Sequence, residues 1–397
     1  MNIKKIIIAS VLLVILLSGY LWHIKQDDLR LKQVSFKHLP GWQSANTVKS
    51  LQAFSISCKH FLKLKPDEPV GSPYIPLKAS DFYPACRAAL SINPTSPEQA
   101  KAFFEHFFKP VEFFYHQPVQ GLFTGYYVPL LHGNLTKTNL YSVPLYKRPK
   151  NMISVNLALF DSKLTYRQLV GRQDGNRLIP YYTRKEINQG LISESADVLV
   201  WLKSPIDRLF LEIQGSGIVE LTDGSRMFVG YADQNGLPYT AIGAVLIKQG
   251  LMTKDTVTMQ SIRAYLETHP EQIDAIIDQN QSFVFFDKLP QNAVFGVQQT
   301  PLTPGYSLAI DRRWIPIGIP LWLNTTHPEF NSTQHKPLQR LMIAQDTGGA
   351  IRGMVRGDVF WGAGERATDI AGKMKSNGFY WLLIPDGKRT KKHMAPQ

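Results

Sequence analysis

The sequence predicts an α+β fold that is mainly β. Residues 25–120 are expected to be largely helical, for example Ala45–Phe61, where apolar side chains recur at helical spacing. From Leu122 onward, short β-rich runs alternate with Gly, Pro and Asn, a pattern typical of small β-barrels or sandwiches. The pairs Asp223-Gly224 and Asn235-Gly236 indicate two-residue hairpin turns.

The expected elements follow from these patterns. The predicted strands are Phe123–Pro129, Leu209–Gln214, Gly217–Leu221, Phe228–Tyr231, Phe283–Phe286, Ser307–Ile310, Leu321–Leu323, Arg340–Gln345 and Asp358–Trp361. The further predicted helices are one that Ser96 caps and that runs to about Phe108, Tyr239–Gly250, Ser261–Ile277, and Glu365–Ser376 closed by Asn377-Gly378.

Length, composition and charge narrow the classes of function. At ~150 residues per domain, 397 residues leave room for two or three domains. Hydrophobic residues make up 44% and charged residues 19%, which is a globular and not a disordered composition. The net charge of +13 suits a polyanionic partner, such as nucleic acid, anionic lipid or an acidic cell-wall polymer. Two cysteines exclude a disulfide-scaffold protein and a four-cysteine zinc site.

The N-terminus predicts a segment that directs the chain to a membrane. Lys4 and Lys5 precede Ile6–Trp22, a run of 17 residues that is almost wholly apolar. Such a run is long for a signal peptide and just long enough to span a bilayer. A cleaved secretory signal is one alternative. We favour an uncleaved anchor over residues 1–25 with its basic end in the cytoplasm, so that the rest of the chain faces the periplasm of a bacterial cell envelope.

Export would also decide the state of the two cysteines. In an oxidising compartment, Cys58 and Cys86 could form a disulfide. Two unpaired buried thiols are the alternative. The sequence leaves both open.

Several common catalytic and cofactor motifs are absent from the sequence. It contains no His-Glu-x-x-His, no Gly-x-Ser-x-Gly and no phosphate-binding Gly-x-x-x-x-Gly-Lys-Ser/Thr, and its ten histidines show no ligand spacing. The turn Gly362–Ala367 resembles a dinucleotide-binding loop, but only 30 residues follow it, too few for the rest of a doubly wound sheet. We therefore predict no metal and no cofactor.

Two aspartates near the C-terminus form the densest polar constellation. Asp346 follows a predicted strand and precedes the turn Thr347–Gly349, and Asp358 lies 12 residues further on. If both strands end at one end of a barrel, the carboxylates meet, and paired carboxylates suit glycosidic bond cleavage. The apolar residues 359–361 would raise one carboxyl pKa and keep that group protonated as an acid. The alternative is that both aspartates cap turns by accepting backbone N–H groups.

Two other segments carry side chains suited to sugars. Thr124, Tyr126 and Tyr127 offer a hydroxyl beside aromatic rings, although adjacent residues of a strand face opposite ways. The segment Ile213–Gly217 offers a side-chain amide and a hydroxyl on a flexible turn. Taken alone, each segment is more simply explained as core aromatics or loop.

Together these segments resemble the MltA family of membrane-bound lytic murein transglycosylases. The resemblance covers roughly residues 100 to 384, and the closing pair of aspartates is its most specific part. The matching stretches are Phe123-Thr124-Gly125-Tyr126-Tyr127-x-Pro129, Ile213-Gln214-Gly215-Ser216-Gly217 with Asp223-Gly224, Gly230-Tyr231-Ala232 with Asn235-Gly236, Asn280-x-Ser282-Phe283-Val284-Phe285-Phe286, Ser307-Leu308-Ala309-Ile310-Asp311, Ile317-Gly318-x-Pro320-Leu321, Ala344-x-Asp346-x-Gly348-Gly349-Ala350-Ile351 and Asp358-Val359-Phe360-Trp361-Gly362.

The resemblance implies a fold of two domains with a substrate groove between them. A double-psi β-barrel would be built from residues 26–129, with N-terminal helices, and residues 287–397. A second, smaller β-barrel would be inserted as residues 130–286.

The resemblance also implies the residues of the site. Asp358 falls on the catalytic acid of the family, and Asp346 falls on its neighbouring aspartate, which would hold or polarise the reacting centre. The residues expected to bind substrate are Thr124, Tyr126, Tyr127, Gln214, Gly215, Ser216 and Trp361.

The implied reaction cleaves the β-1,4 bond between N-acetylmuramic acid and N-acetylglucosamine in peptidoglycan without water and leaves a 1,6-anhydro ring. The positive charge would then attract peptidoglycan, whose peptide stems carry carboxylates, and anionic lipid, rather than nucleic acid. The wall-synthesis machinery is a further expected class of partner.

The sequence departs from the family at the lipoprotein box. Members are typically lipoproteins of the outer membrane, whereas in Leu17-Ser18-Gly19-Tyr20 the tyrosine stands where the lipidated cysteine should be. We therefore expect a tether to the inner membrane.

Two alternatives to this function remain open. If Asp346 is a base for water, the chain is an inverting polysaccharide hydrolase. If neither aspartate is catalytic, the chain is an expansin-like cell-wall-binding protein. The sequence also leaves open endo or exo action, a preference for cross-linked or peptide-bearing strands, and the oligomeric state.

Overall fold

The structure is a computed structural model that describes residues 29–92, 96–161, 164, 168–289 and 293–387. The segment predicted as a signal or anchor, residues 1–25 with Tyr20, lies outside the described residues. Within them, no helix is long and apolar enough to cross a membrane.

The described residues form the strands and helices of a mainly β protein. The strands are β1 (Arg30–Gln33), β2 (Phe108–Tyr115), β3 (Gln117–Pro118), β4 (Gly121–Val128), β5 (Leu130–Asn134), β6 (Val143–Tyr146), β7 (Met152–Asn156), β8 (Gln168–Asp174), β9 (Arg177–Pro180), β10 (Val198–Leu202), β11 (Ser216–Leu221), β12 (Arg226–Gln234), β13 (Val284–Lys288), β14 (Ser307–Ile310), β15 (Pro320–Pro328), β16 (His335–Thr347), β17 (Arg356–Ala363) and β18 (Lys375–Pro385). The α-helices are Val48–Phe61, Ala79–Ser91, Pro97–Phe107, Arg184–Asn188, Pro205–Gln214, Ile242–Lys248, Met259–Thr268, Ile273–Ile277 and Glu365–Lys373. The predicted α+β fold class, mainly β, is confirmed.

A closed ring of strands forms the barrel. β18, β15, β16, β14, β17 and β4 pair in that order, and β4 pairs again with β18. β14 pairs in parallel with β16, and β4 pairs in parallel with β17, whereas the other neighbours in the ring are antiparallel. Parallel neighbours require crossover connections, since a tight hairpin joins only antiparallel strands. This arrangement is the double-psi β-barrel of the prediction.

The two faces of the barrel strands have different surroundings. Phe123 and Val359 are fully buried in the barrel core, on which the N-terminal helices pack. Because side chains alternate along a strand, their neighbours Thr124 and Asp358 lie on the opposite face. That face carries the polar residues of the candidate site.

The N-terminal helices are joined by a disulfide. Cys58 of helix Val48–Phe61 is bonded to Cys86 of helix Ala79–Ser91, and both residues are fully buried. Beside them the ring of Phe61 stacks on the ring of Phe82, with 4.2 Å between their centroids. The structure therefore has the disulfide that the sequence left open.

Two sheets occupy the chain between β4 and β14. β13, β12, β11, β5, β10 and β6 pair in that order in a six-stranded sheet, and β7, β8 and β9 form a separate three-stranded sheet. β4 passes through Pro129 directly into β5, so one extended stretch leads from the barrel into this inserted unit. The apolar face of the six-stranded sheet has its own buried cluster, separate from the barrel core.

The prediction of a strand at Leu209–Gln214 is wrong, because these residues belong to helix Pro205–Gln214. The Oγ atom of Ser204 accepts the N–H of Ile206, and Pro205 occupies the first turn, where its fixed φ favours a helix. A short apolar run is compatible with either a strand or a buried helix. Here the helix-start residues Ser204 and Pro205, directly before the run, favour the helix.

Two turn predictions are also wrong. Asn235-Gly236 closes no hairpin, because Asn235 is buried and its side-chain amide donates to the carbonyl oxygens of Tyr182 and Gln281. Asn377-Gly378 lies inside β18, and helix Glu365–Lys373 ends before it. The hairpin at Asp223-Gly224 is confirmed, since β11 and β12 pair antiparallel on either side of it, but residues 222–225 join the strands instead of a two-residue turn.

Two helical predictions extend too far. Residues 25–120 contain the strands Arg30–Gln33 and Phe108–Tyr115 beside the three helices. The predicted helix Ser261–Ile277 is interrupted at Pro270, which begins a short 3-10 turn. Proline lacks the N–H that a continuing helix needs, so the chain restarts as helix Ile273–Ile277.

Candidate active site

A row of residues crosses four neighbouring strands on the face of the barrel opposite its core. Thr124 pairs with Asp358, Asp358 pairs with Ala309, and Ala309 pairs with Asp346. Paired residues on adjacent strands project to the same side of a sheet. The two aspartates are therefore separated by two strand spacings, ~10 Å between their Cα atoms, with a small side chain between them.

One carboxyl oxygen of Asp358, Oδ1, accepts a hydrogen bond from the protein. The Thr124 hydroxyl donates to Oδ1 at 2.6 Å, and Nη2 of Arg356 donates to the Thr124 hydroxyl at 2.8 Å. In the described part of the chain, no group donates a hydrogen bond to Oδ2. Burial raises the pKa of Asp358, and the Arg356 guanidinium and the Thr124 hydroxyl offset only part of that rise. The carboxyl group can therefore carry a proton and exchange it at Oδ2.

Both oxygens of Asp346 already accept hydrogen bonds. Oδ1 accepts the backbone N–H of Thr347 at 2.9 Å and of Val297 at 3.1 Å, and Oδ2 accepts the Tyr126 hydroxyl at 2.8 Å. Burial raises the pKa of Asp346 from 3.8 to about 6 against the effect of these donors. For Asp346, the alternative of a turn aspartate that accepts backbone N–H groups therefore holds in part.

We expect Asp346→Asn to remove a pH dependence of folding stability. A carboxyl whose pKa is raised in the folded state stabilises that state while protonated, and the contribution is lost as the pH rises through about 6. The native chain should therefore lose up to about 3 kcal/mol relative to the variant between about pH 4 and pH 7. The asparagine can still accept both backbone N–H groups and donate to the Tyr126 oxygen.

Urea unfolding across that pH range measures the difference. Asp386→Asn is the matched control, because Asp386 is an exposed aspartate at the end of β18. Its stability curve should run parallel to that of the native chain. If the Asp346→Asn curve is also parallel, the carboxyl pKa is not raised in the folded protein.

An apolar wall surrounds the two carboxyl groups. The ring of Tyr126 lies 5.2 Å from the ring of Phe360, and Val128, Ile351 and Ala309 are buried beside them. This wall excludes water from one side of the row and causes the rise of both aspartate pKa values.

Tyr127 and Gln214 lie behind the row and connect the barrel with the inserted unit. Tyr127 faces away from Tyr126 and packs against helix Glu365–Lys373. Gln214 is buried; its Oε1 accepts the Tyr127 N–H at 2.9 Å, and its Nε2 contacts Sδ of Met259 at 3.2 Å. Both ends of this amide are engaged by the protein itself.

Gly215 and Ser216 turn the chain from a helix into β11. Gly215 has φ +76° and closes helix Pro205–Gln214, a left-handed conformation that favours glycine. Ser216 is partly exposed at the start of β11. Two residues later, the Ile218 N–H donates to the Pro129 carbonyl at 2.9 Å, and Ile218 packs on the apolar wall. Ser216 lies two residues before Ile218 and therefore on the same face of β11.

Trp361 lies three residues after Asp358 on β17, and its indole packs with Tyr127 and the barrel core. The ring centroid is 5.0 Å from that of His327. Its buried Nε1 has no hydrogen-bond partner among the residues that the structure describes.

The sequence reasoning missed Arg356 and Ala309. Arg356 precedes Asp358 by two residues on β17, and this spacing places both on one face of the strand. The spacing could have identified Arg356, whereas nothing in the sequence indicates that Ala309 lies between the aspartates. Within the described ranges, no cluster of three or more His, Cys, Asp or Glu residues could hold a metal ion.

Comparison with known proteins identifies the family to which this fold and this site belong. Residues 122–287 match the family described as the MltA specific insert domain, and residues 306–384 match the 3D domain. The second match contains both aspartates, and the first contains the polar residues of β4 and β11. The chain belongs to the MltA family.

Individual relatives agree with this assignment. The chain is 33% identical over 264 residues to membrane-bound lytic murein transglycosylase A of Escherichia coli strain K12, a match of 66% of this chain and 65% of that protein. The chain thus spans slightly less than two thirds of that relative. A crystal structure of MltA from Neisseria gonorrhoeae, in a monoclinic form, is 34% identical with a TM-score of 0.74 over 92% of this chain and 94% of that chain. Escherichia coli MltA with bound chitohexaose is 26% identical with a TM-score of 0.61 over 84% and 90%.

Proposed function

We propose that this protein is a peptidoglycan lytic transglycosylase, which cleaves the β-1,4 bond between N-acetylmuramic acid and N-acetylglucosamine without water. Family membership, the activity in the names of its relatives and the chitohexaose held by one of them support the proposal. One observation carries it: burial raises the pKa of both aspartates, but among the described residues only Asp358 keeps an oxygen, Oδ2, to which no group donates, whereas both oxygens of Asp346 accept hydrogen bonds.

Asp358 acts first as the acid. Its proton passes to the glycosidic oxygen, the bond from this oxygen to C1 breaks, and positive charge develops on C1 and the ring oxygen of the muramic residue. Burial favours the protonated starting state, because desolvation disfavours the carboxylate.

The same group then acts as the base. The Asp358 carboxylate takes the proton of the C6 hydroxyl of the muramic residue, and O6 bonds to C1 to close the 1,6-anhydro ring. The proton given to the leaving oxygen is thereby replaced, and Asp358 returns to its starting state. Attack within one sugar gives O6 a high effective concentration over water.

The contacts of Asp346 favour this reaction over an inverting hydrolase. A spacing of ~10 Å between the Cα atoms leaves room for a water, as an inverting pair needs. Two backbone N–H groups and the Tyr126 hydroxyl occupy three of the four lone-pair sites of Asp346, and these donors weaken it as a base for that water. We propose that Asp346 and Tyr126 instead polarise the reacting centre by hydrogen bonding.

The glycan strand is proposed to lie in a groove between the barrel and the inserted unit. Thr124, Tyr126 and Ser216 would present polar groups to the sugars. The predicted binding residues that would shape the wall of the groove are Tyr127, Gln214, Gly215 and Trp361. The packing of Ile218 of β11 against the apolar wall of the barrel supports this placement.

The proposed domains and location follow the same family pattern. Residues 26–129 and 287–397 contain the barrel strands, and residues 130–286 contain the inserted sheets except for the end of β13. The chain would lie in the cell envelope, as the name of its membrane-bound relative suggests, with residues 1–25 as an inner-membrane tether. Its partners would be peptidoglycan strands, the membrane and the wall-synthesis machinery.

Digestion of purified sacculi, followed by mass spectrometry of the products, tests the reaction. We expect muropeptides with a 1,6-anhydro ring, which are lighter by one water than the products of hydrolysis. Products that carry the additional water would show a hydrolase instead. Binding to sacculi without release of any muropeptide would show a cell-wall-binding protein.

A further inference from the structure

Arg356 is a charged side chain beside Asp358 that has no part in the steps described above. It lies two residues before Asp358 on β17 and on the same face of the strand. Its side chain is partly buried, and burial lowers its pKa while Asp358 raises it. A partly buried guanidinium so close to the proposed acid needs an explanation, because its charge favours the carboxylate form of Asp358.

Hydrogen bonds fix the Arg356 guanidinium in place. Nη1 donates to the Leu122 carbonyl at 3.3 Å and to the Gly357 carbonyl, and Nη2 donates to the Thr124 hydroxyl at 2.8 Å. Leu122 and Thr124 lie on β4, next to β17. The guanidinium is therefore tied to both strands that hold the Thr124–Asp358 pair.

Thr124 separates Arg356 from Asp358. The Thr124 hydroxyl accepts from Nη2 and donates its own proton to Oδ1 of Asp358 at 2.6 Å. Arg356 and Asp358 form no ion pair in the described part of the chain. A direct pair with an arginine typically lowers a carboxyl pKa by about 1–3 units, which would remove the proton that the acid must give. Because the Thr124 hydroxyl lies between them, the Arg356 guanidinium attracts the Asp358 carboxylate less strongly than it would in a direct ion pair.

The geometry also orients the acid. The hydrogen bond from Thr124 holds Oδ1, so Oδ2 is the oxygen left to face a substrate. A hydroxyl that already accepts a charged N–H is a stronger donor than an isolated one. Arg356 therefore strengthens the hydrogen bond from the Thr124 hydroxyl to Oδ1 of Asp358.

We propose that Arg356 is a positioning residue, which acts through Thr124 to orient Asp358 and to stabilise its carboxylate between the two proton transfers. The inference rests on the proposed role of Asp358 as acid and base. The carboxylate exists only after the proton has passed to the leaving oxygen and before the C6 hydroxyl returns one. Stabilisation of this state through a hydroxyl eases the first transfer without preventing the second.

Three substitutions separate the charge of Arg356 from its hydrogen bonds. Arg356→Met removes both, Arg356→Gln keeps N–H donors without the charge, and Arg356→Lys keeps the charge without the planar fork. Loss of the charge raises the pKa of Asp358, so the alkaline limb of kcat/KM, where the acid loses its proton, should move to higher pH. We expect a shift of about one pH unit in the Met and Gln variants and little in Lys. We also expect kcat to fall ~10-fold or more in Met.

The pH dependence of muropeptide release from sacculi provides the readout. Arg352→Met is the matched control, because Arg352 is an exposed arginine in the loop between the two aspartates. Its alkaline limb should stay with that of the native enzyme, since an exposed charge is screened by solvent. Circular dichroism and binding to sacculi establish that each variant is folded, and the Gln variant carries the test if Met does not fold.

Two results would overturn the inference. The first is an alkaline limb that stays in place in both the Met and Gln variants, and the second is an equal shift in Arg352→Met. Failure of the proposed function looks different: Asp358→Asn would then stay active, or the native products would carry no anhydro ring. An inactive Asp358→Asn together with an unshifted alkaline limb in both Arg356 variants refutes the role of Arg356 and leaves the proposed function in place.

Discussion

Asp358→Asn should lower kcat for muropeptide release by ~10³-fold or more, since no other group in the proposed mechanism gives and takes the proton. Asparagine has nearly the shape of aspartate, and its side-chain oxygen can still accept the Thr124 hydroxyl that now lies 2.6 Å from Oδ1. The row of side chains would remain in place. The amide has no proton to give to the glycosidic oxygen at neutral pH and cannot act as the base for O6.

Release of soluble muropeptides from sacculi, followed over time, measures this loss. Asp386→Asn is the control, because it makes the same chemical change at an exposed position directly after β18. The Asp358→Asn variant should still bind sacculi, since the proposed binding residues are unchanged. Normal release by this variant would show that the acid is another residue.

The second large effect is expected on stability, at a buried cluster of charges in the inserted unit. Glu212 lies between two arginines: Nη1 of Arg184 donates to Oε1 at 3.1 Å, and Nε of Arg208 lies 3.7 Å from the same oxygen. The exposed fractions are 1% for Arg184, 5% for Arg208 and 8% for Glu212. Both guanidiniums also lie over the Phe283 ring, at 5.2 and 5.1 Å from its centroid. Among the described residues, Glu212 is the only carboxylate within ion-pair distance of either guanidinium, and Asp278 acts on them only at longer range.

Glu212→Gln should lower the free energy of unfolding by about 3–5 kcal/mol, because it leaves both arginines charged, buried and without a carboxylate. The change is nearly isosteric, so lost packing contributes little. Glu212 belongs to helix Pro205–Gln214, which leads into Gly215 and Ser216. The same substitution should therefore also weaken binding to sacculi.

Unfolding by guanidinium chloride, followed by circular dichroism, measures the first effect. Glu220→Gln is the matched control on the adjacent strand β11, where Glu220 forms a surface pair with Arg226 at 3.9 Å. It should change the free energy of unfolding by no more than about 0.5 kcal/mol. A loss at Glu212 as small as that at Glu220 would mean that the arginines do not depend on the carboxylate.

The sequence predicted the barrel strands well where β-rich runs lie between turns. Ser307–Ile310 was predicted with its bounds, and Leu321–Leu323, Arg340–Gln345 and Asp358–Trp361 all lie within strands. The predictions failed where contacts distant in sequence override local preference. At Asn235-Gly236, hydrogen bonds to Tyr182 and Gln281 replace a local hairpin.

The sequence alone determined the mainly β fold class, the candidate aspartates Asp346 and Asp358 and the family resemblance, because turn residues, alternation and ordered motifs are local properties of the chain. The difference between the two aspartates comes from the tertiary structure. Their distinct environments come from Thr124, Tyr126 and Val297, which lie between 49 and 234 residues away along the chain. The pairing of Ala309 with both aspartates likewise depends on strand order in the closed barrel. Burial and hydrogen bonding set a carboxyl pKa, and both arise from neighbours that the fold, not the sequence order, supplies.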